Sequence, residues 1–165
     1  MSRPLKDVII FKDRECKATM DIRHYPIIIC ELDGTFTEGI VEYFFVQWRE
    51  PMTDYAESRG ERVVVIMQAS NSGPPPATVR RAAGEHAAKD ASTKGLLCTN
   101  IVVSNPLLRG VMTAIVWVAG QDNTNVKYFG KLDQAIVSSI KSLEAAGFTP
   151  PNIDPAAYRI PTEAE

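Results

Sequence analysis

Groups able to carry chemistry are few in this sequence, and they do not gather into a motif. His24 and His86 stand far apart, and neither sits in a catalytic pattern. Asp33-Gly34 follows the apolar run Tyr25–Leu32. No DxD pair and no glycine-rich phosphate loop accompanies it, so it is expected to form a turn. Glu31 and Asp33 do not make a convincing acid/base pair. Ser72-Gly73 lacks the GxSxG frame of a hydrolase elbow. Cys16, Cys30 and Cys98 are scattered, with no CxxC or Cys/His cluster, and are expected to be buried reduced thiols. Nothing here implies a metal or another cofactor, and the chain is not expected to be an enzyme.

Two other groups invite a binding role. Arg109 and Thr113 are the clearly polar side chains of an otherwise apolar segment, and at a spacing of four they share one helix face. Arg109 either grips a carboxylate or phosphate of a partner or makes a pair within the chain. Trp48 and Trp117 either line a ligand pocket or pack in the core, which is the default for aromatics at helical spacing.

The elements that must hold these residues follow from periodicity. Residues 7–14 hold a short β-rich run, with the more polar 17–24 as an edge-hairpin partner. Tyr25–Leu32 (YPIIICEL) is apolar on both faces and reads as a covered strand. Thr37 is an N-cap candidate for a helix with Ile40, Phe44, Trp48, Met52 and Tyr55 at spacings of four and three. Pro51 removes the bond to residue 47, which predicts a kink or break near Glu50, and Gly60 closes the segment. Arg62–Met67 is a second buried strand. An alanine-rich helix runs roughly over Ala77–Thr93, and Leu97–Ser104 is a third strand. Asn105 caps a helix from Pro106 that is apolar almost all round. Val126–Phe129 is a short strand, and Leu132, Ile136, Ile140 and Leu143 mark a last helix, stopped by Gly147.

The alternation of strands and helices indicates an α/β domain with a mostly parallel sheet of four to five strands and about four helices. With 165 residues, 45% of them hydrophobic, one domain can bury a core without staples. Residues 1–147 form that domain, and 148–165 a proline-rich tail, extended or disordered. A formal net charge of −2 gives no footprint for nucleic acid. No apolar run reaches the ~20 residues of a membrane span, and Met1–Lys6 does not open a signal peptide. A cytoplasmic protein is the expectation.

The stretch IVVSNPLLRGVMTAIVW carries a resemblance. It is similar to a segment S-x-P-L-x-R-G-x-x-T-A-x-x-W of bacterial STAS-like proteins of the myxobacterial type. The YPIII-like strand, the long helix, the VVVIM-like strand and the short YF strand agree, over roughly residues 5–147. STAS domains, which include anti-sigma-factor antagonists, share this order of elements, as do the more distant CRAL-TRIO lipid-binding domains. The resemblance implies a STAS-like fold and a binding or signalling module.

Ser70 and Ser72 then take a second meaning. Antagonists of this kind carry a phosphorylatable serine at the N-terminus of the helix after the second strand, where negative charge is tolerated. This chain has Met67-Gln68-Ala69 where those proteins usually have an aspartate, so a turn serine is the competing reading. The leading functional expectation is a non-catalytic, regulatory protein-interaction module with a protein partner. The alternative is a small carrier of an apolar ligand or lipid, suggested by the apolar helix at 106–119 and the aromatic stripe of the first helix. Leu108, Met112 and Ile115 fall on one side of the 106–119 helix, and Leu107, Val111 and Val118 on another. The second side needs a cover: the tail, through Ile153, Tyr158 and Ile160, or the same helix of a homodimer, which is favoured.

Overall fold

The computed structural model describes residues 2–90, 93–118, 120 and 125–164, the side chains at 90 and 118 excepted. Six strands form one sheet in chain order: β1 (Val8–Asp13), β2 (Cys16–Asp21), β3 (Ile27–Asp33), β4 (Val63–Asn71), β5 (Leu96–Val102) and β6 (Val126–Phe129). The β1–β2 and β2–β3 pairs are antiparallel; β3 to β6 run parallel. The sheet therefore exceeds the four to five strands expected. The expected N-terminal edge hairpin forms, and its second strand pairs onto β3, so β1 and β2 join the sheet. That second strand looks polar yet is buried: Ala18 and Met20 point to one face of the sheet, Thr19 and Asp21 to the other, and none is more than 2% exposed.

β3 and β4 are buried on both faces, as their unbroken apolar runs predict. Ile28, Cys30, Leu32, Val65 and Met67 face one layer of helices; Ile27, Ile29, Val64 and Ile66 face the other side. The turn after β3 is fixed by Gly34, whose φ is +104° and whose place leaves no room for a Cβ against the Glu15 carbonyl.

The first face is covered by α1 (Glu38–Glu42), a π-helical segment (Tyr43–Arg49) and α2 (Glu50–Ser58), which run on as one rod, and by α3 (Ala77–Asp90) and α4 (Pro106–Val118). Thr37 caps α1, its hydroxyl accepting from Ile40 N at 3.1 Å. Asn105 caps α4, its Oδ1 accepting from Leu107 N at 2.9 Å. Pro51 does not break the rod; the residues before it widen into a π turn, with the Glu50 N–H donating to the Phe45 carbonyl. Phe44, Trp48 and Met52 point inward, and burial of each contributes about 1.5–3 kcal/mol. α3 is described as far as Asp90, and Thr93, expected within it, is not helical.

The second face is covered by α5 (Leu132–Ala145) and by the C-terminal segment. That segment is extended and packed, which overturns the disordered alternative: Phe148, Ile153, Tyr158 and Ile160 lie with α5 against β3, β4 and β5. It consequently cannot cover α4, which lies on the opposite face.

Candidate functional site

Between the sheet and the helices of the first face lies a cavity of about 240 Å³. Its floor is Leu32, Met67, Thr99 and Ile101 from β3, β4 and β5. One wall is Ile40, Val41, Phe44 and Phe45; Ala83 and Ala87 of α3 form another, and Met112, Ile115 and Val116 of α4 a third. The local sequence explains why it is hollow. α3 lies against α4 and offers only alanine methyls here, so the helices meet while the space beneath them stays unfilled. An empty apolar space of this size forfeits contacts that a well-packed core would make.

The polar residues of the described lining gather toward one end of the cavity. The parallel register sets Ile28, Val65 and Thr99 at one level and Cys30, Met67 and Ile101 two residues on. Leu32 lies four residues beyond Ile28, roughly 13 Å along the strand at ~3.3 Å per residue. By that register Thr99, Thr93 and Asn125, with Arg49 bonded to Thr99, lie toward the near end together with the apolar Leu96, Leu97 and Val126; Leu32, Phe36 and Met67 lie toward the far end. Asn125 is exposed and Thr93 half-buried, so the near end faces the mouth.

Among the described lining residues Arg49 alone carries a formal charge. It is 5% exposed. One terminal nitrogen donates to Thr99 Oγ1 at 3.0 Å, and the guanidinium lies 5.8 Å from the centre of the Phe44 ring and 5.4 Å from that of Phe45. The π segment makes this possible. In an unbroken α-helix Arg49 would be turned about 140° from Phe44. A π turn instead brings residues five apart onto one face, so Arg49 stacks with both rings. Sequence reasoning missed Arg49, whose place between Trp48 and Glu50 reads as solvent-facing. The available signal was Pro51: the missing N–H leaves the preceding carbonyls free to shift register.

The chain is similar to a protein of SpoIIAA-like fold. That solved structure is an uncharacterized protein of the DUF3478 family from Shewanella loihica PV-4, with a TM-score of 0.48 and 12% identity over 84% of this chain and 98% of that one. No protein-family model matches the chain, and no curated protein matches it in sequence.

Of the residues singled out from sequence, Cys98 lies in the cavity lining, whereas Ser70, Ser72, Trp48, Arg109, Val111, Thr113 and Trp117 are not among its described lining residues. Ser70 belongs to β4 itself, its hydroxyl donating to Gln68 Oε1 at 2.8 Å. Ser72 donates to the Leu32 carbonyl at 2.8 Å. The loop of three prolines separates both from α3, so neither stands at the helix N-terminus where an antagonist-type acceptor is expected. Arg109 and Thr113 do share a face. Thr113 donates back to the Arg109 carbonyl at 2.8 Å, and the Arg109 guanidinium lies 5.5 Å from the centre of the Tyr128 ring, a contact within the chain. Burial pushes the Tyr128 phenol up, and Thr113 and Arg109 act against that. Trp48 is fully buried core, and Trp117, expected in core or pocket, is 62% exposed. Val111 is half-buried, and the Val118 side chain lies outside the described residues.

His86 stacks on Phe45 at 5.2 Å, and His24 meets Tyr158 edge-on. The three cysteines are buried and unbridged. Burial first, then the carboxylates of Asp33 and Asp13, push the Cys16 thiol up to about 11; burial likewise raises Cys30 and Cys98. None of the three is a thiolate near neutral pH.

Proposed function

We propose that this chain is a non-catalytic binding module whose occupant is a small apolar molecule held between the sheet and the α1–α4 layer. The 240 Å³ cavity carries this reading. A cavity of ~150 Å³ lined by aliphatic and aromatic side chains takes up benzene; scaled by volume, this one holds a molecule of about ten non-hydrogen atoms. A two-chain lipid is far too large, so the carrier expected from sequence narrows to compact ligands. The aromatic stripe of the first helix and the apolar α4, which prompted that expectation, supply two of the cavity walls. A cytoplasmic setting, with the cysteines reduced, is part of the proposal.

The test is isothermal titration with indole. One saturable site is expected, and Ala83→Phe, which places a ring in the cavity, is expected to abolish it while the far-UV spectrum is kept. Absence of a saturable isotherm up to the solubility of indole contradicts the reading.

A regulatory protein-interaction module is the second reading. It is favoured by the outer face of α4, where Leu107 is 67% and Trp117 62% exposed. The same helix lines the cavity with Met112, Ile115 and Val116. An occupant that shifts α4 alters both faces, which gives a physical route from ligand to partner.

A further inference from the structure

We infer that the occupant carries an aromatic ring, taken in preference to a saturated ring of the same skeleton, and that Phe45, Met67 and Met112 set this preference. The inference rests on the cavity being a ligand site and adds the chemical class of the ligand. Two observations lead to it. Among the described lining residues stand the rings of Phe36, Phe44 and Phe45 and the thioethers of Met67 and Met112. Two of the rings are also fixed by their neighbours. Phe45 stands edge-on to Phe44, with centroids 5.0 Å apart and planes at 90°, and it stacks on His86 at 5.2 Å and 10°. Phe44 packs in turn on the fully buried Trp48, at 5.5 Å between centroids.

An aliphatic wall separates an aromatic ring from a saturated one by area alone. Area favours the saturated ring, which is thicker and withdraws more apolar surface from water. Aromatic walls reverse that order. The positive edge and negative face of each phenyl ring meet the complementary parts of a bound aromatic ring in offset-stacked or T-shaped pairs. Sulfur adds contacts of its own to an aromatic ring. Met67 belongs to the sheet floor and Met112 to the α4 wall, so the floor and a wall each offer the occupant a thioether. Rings already held by Trp48 and His86 lose little freedom when the ligand arrives, so the gain is kept as affinity.

The experiment compares benzyl alcohol with cyclohexylmethanol by isothermal titration on the intact chain. Both are smaller than indole and carry the same hydroxyl, so the ring alone differs. Benzyl alcohol is expected to bind about three- to tenfold more tightly, the order of a ring–ring contact beyond its area. In Phe45→Leu the two are expected to bind alike or in reversed order. In Met67→Leu and Met112→Leu, which nearly keep side-chain volume, the preference is expected to shrink while cyclohexylmethanol binds as before. Should Phe45→Leu fail to fold, the two methionine variants decide. Cyclohexylmethanol bound as tightly as benzyl alcohol in the wild-type chain, or a preference that these variants leave intact, overturns the aromatic inference and spares the cavity. Binding of neither alcohol overturns the inference as well, and the cavity reading falls with it if indole too gives no saturable isotherm.

Discussion

The Tyr158 hydroxyl donates to Asp21 Oδ2 at 2.9 Å, across 137 positions of sequence. Asp21 also accepts from the Arg23 backbone N–H, Nε and Nη2, at 2.9–3.0 Å. A buried carboxylate on β2 is thus the anchor for the C-terminal segment, and three groups satisfy it. Tyr158→Phe removes one donor and is expected to lower stability by about 1–2 kcal/mol, read as a drop in the urea midpoint. An unchanged midpoint means that the segment is held by apolar packing through Phe148, Ile153, Ile160 and the ring at 158 without this bond.

The same group sets a dependence on pH. Burial opposes the charge of Asp21, but the bonds from Arg23 and Tyr158 outweigh it and hold the carboxyl below the usual carboxylate range. A folded value below the unfolded one, ~3.9, contributes stability that is present above about pH 4 and lost as pH falls through the folded value. Asp21→Asn is expected to lower stability at pH 7 and to flatten the profile below pH ~4. A mutant whose acid limb parallels that of the wild type would assign the limb to other carboxylates.

Ser72 tests the regulatory reading at its weakest point. Its hydroxyl spans from the end of β4 to the Leu32 carbonyl. Ser72→Ala is expected to cost about 1 kcal/mol, and Ser72→Asp more, since a carboxylate cannot donate to that carbonyl. If Ser72→Asp were as stable as the wild type by chemical denaturation, a phosphate would be tolerated there and the antagonist-type switch would regain support.

The outer face of α4 separates structural from interacting residues. Leu108→Ala, at a site 1% exposed, is expected to cost 2–5 kcal/mol. Leu107→Glu and Trp117→Glu are expected to leave stability within about 0.5 kcal/mol. In sedimentation equilibrium the chain is expected to exceed its 18.2 kDa mass and each of these exposed-site variants to return to it. A wild-type chain already at the monomer mass would remove the homodimer.

Much of the scaffold was legible because local chemistry and global packing agree there. Thr37 and Asn105 cap the helices they precede, Gly34 makes the turn after β3, and the apolar runs of β3 and β4 are covered on both faces. β2 was harder, because Thr19 and Asp21 look solvent-facing; Asp21 is satisfied by its neighbour Arg23 and by Tyr158, which only the tertiary fold brings to it. The cavity was half legible: its aromatic and α4 walls were visible as apolar faces, but the gap comes from the small side chains of α3 and from strand register. Arg49 could not be found from an α-helical wheel, since its inward turn depends on the π segment. Trp117 carried the opposite error, an aromatic at core spacing that faces outward.

The most direct test of the central claim uses the methionine methyl groups as reporters. Met67 and Met112 line the cavity; Met20 and Met52 are fully buried outside it. In methyl-labelled protein titrated with indole, the Met67 and Met112 methyl resonances are expected to shift along one saturable curve, driven by the ring current of the bound ligand, while Met20 and Met52 stay in place. Met67 and Met112 resonances that remain fixed at saturating indole, or four methyl groups that drift together without saturation, would contradict a ligand site in this cavity.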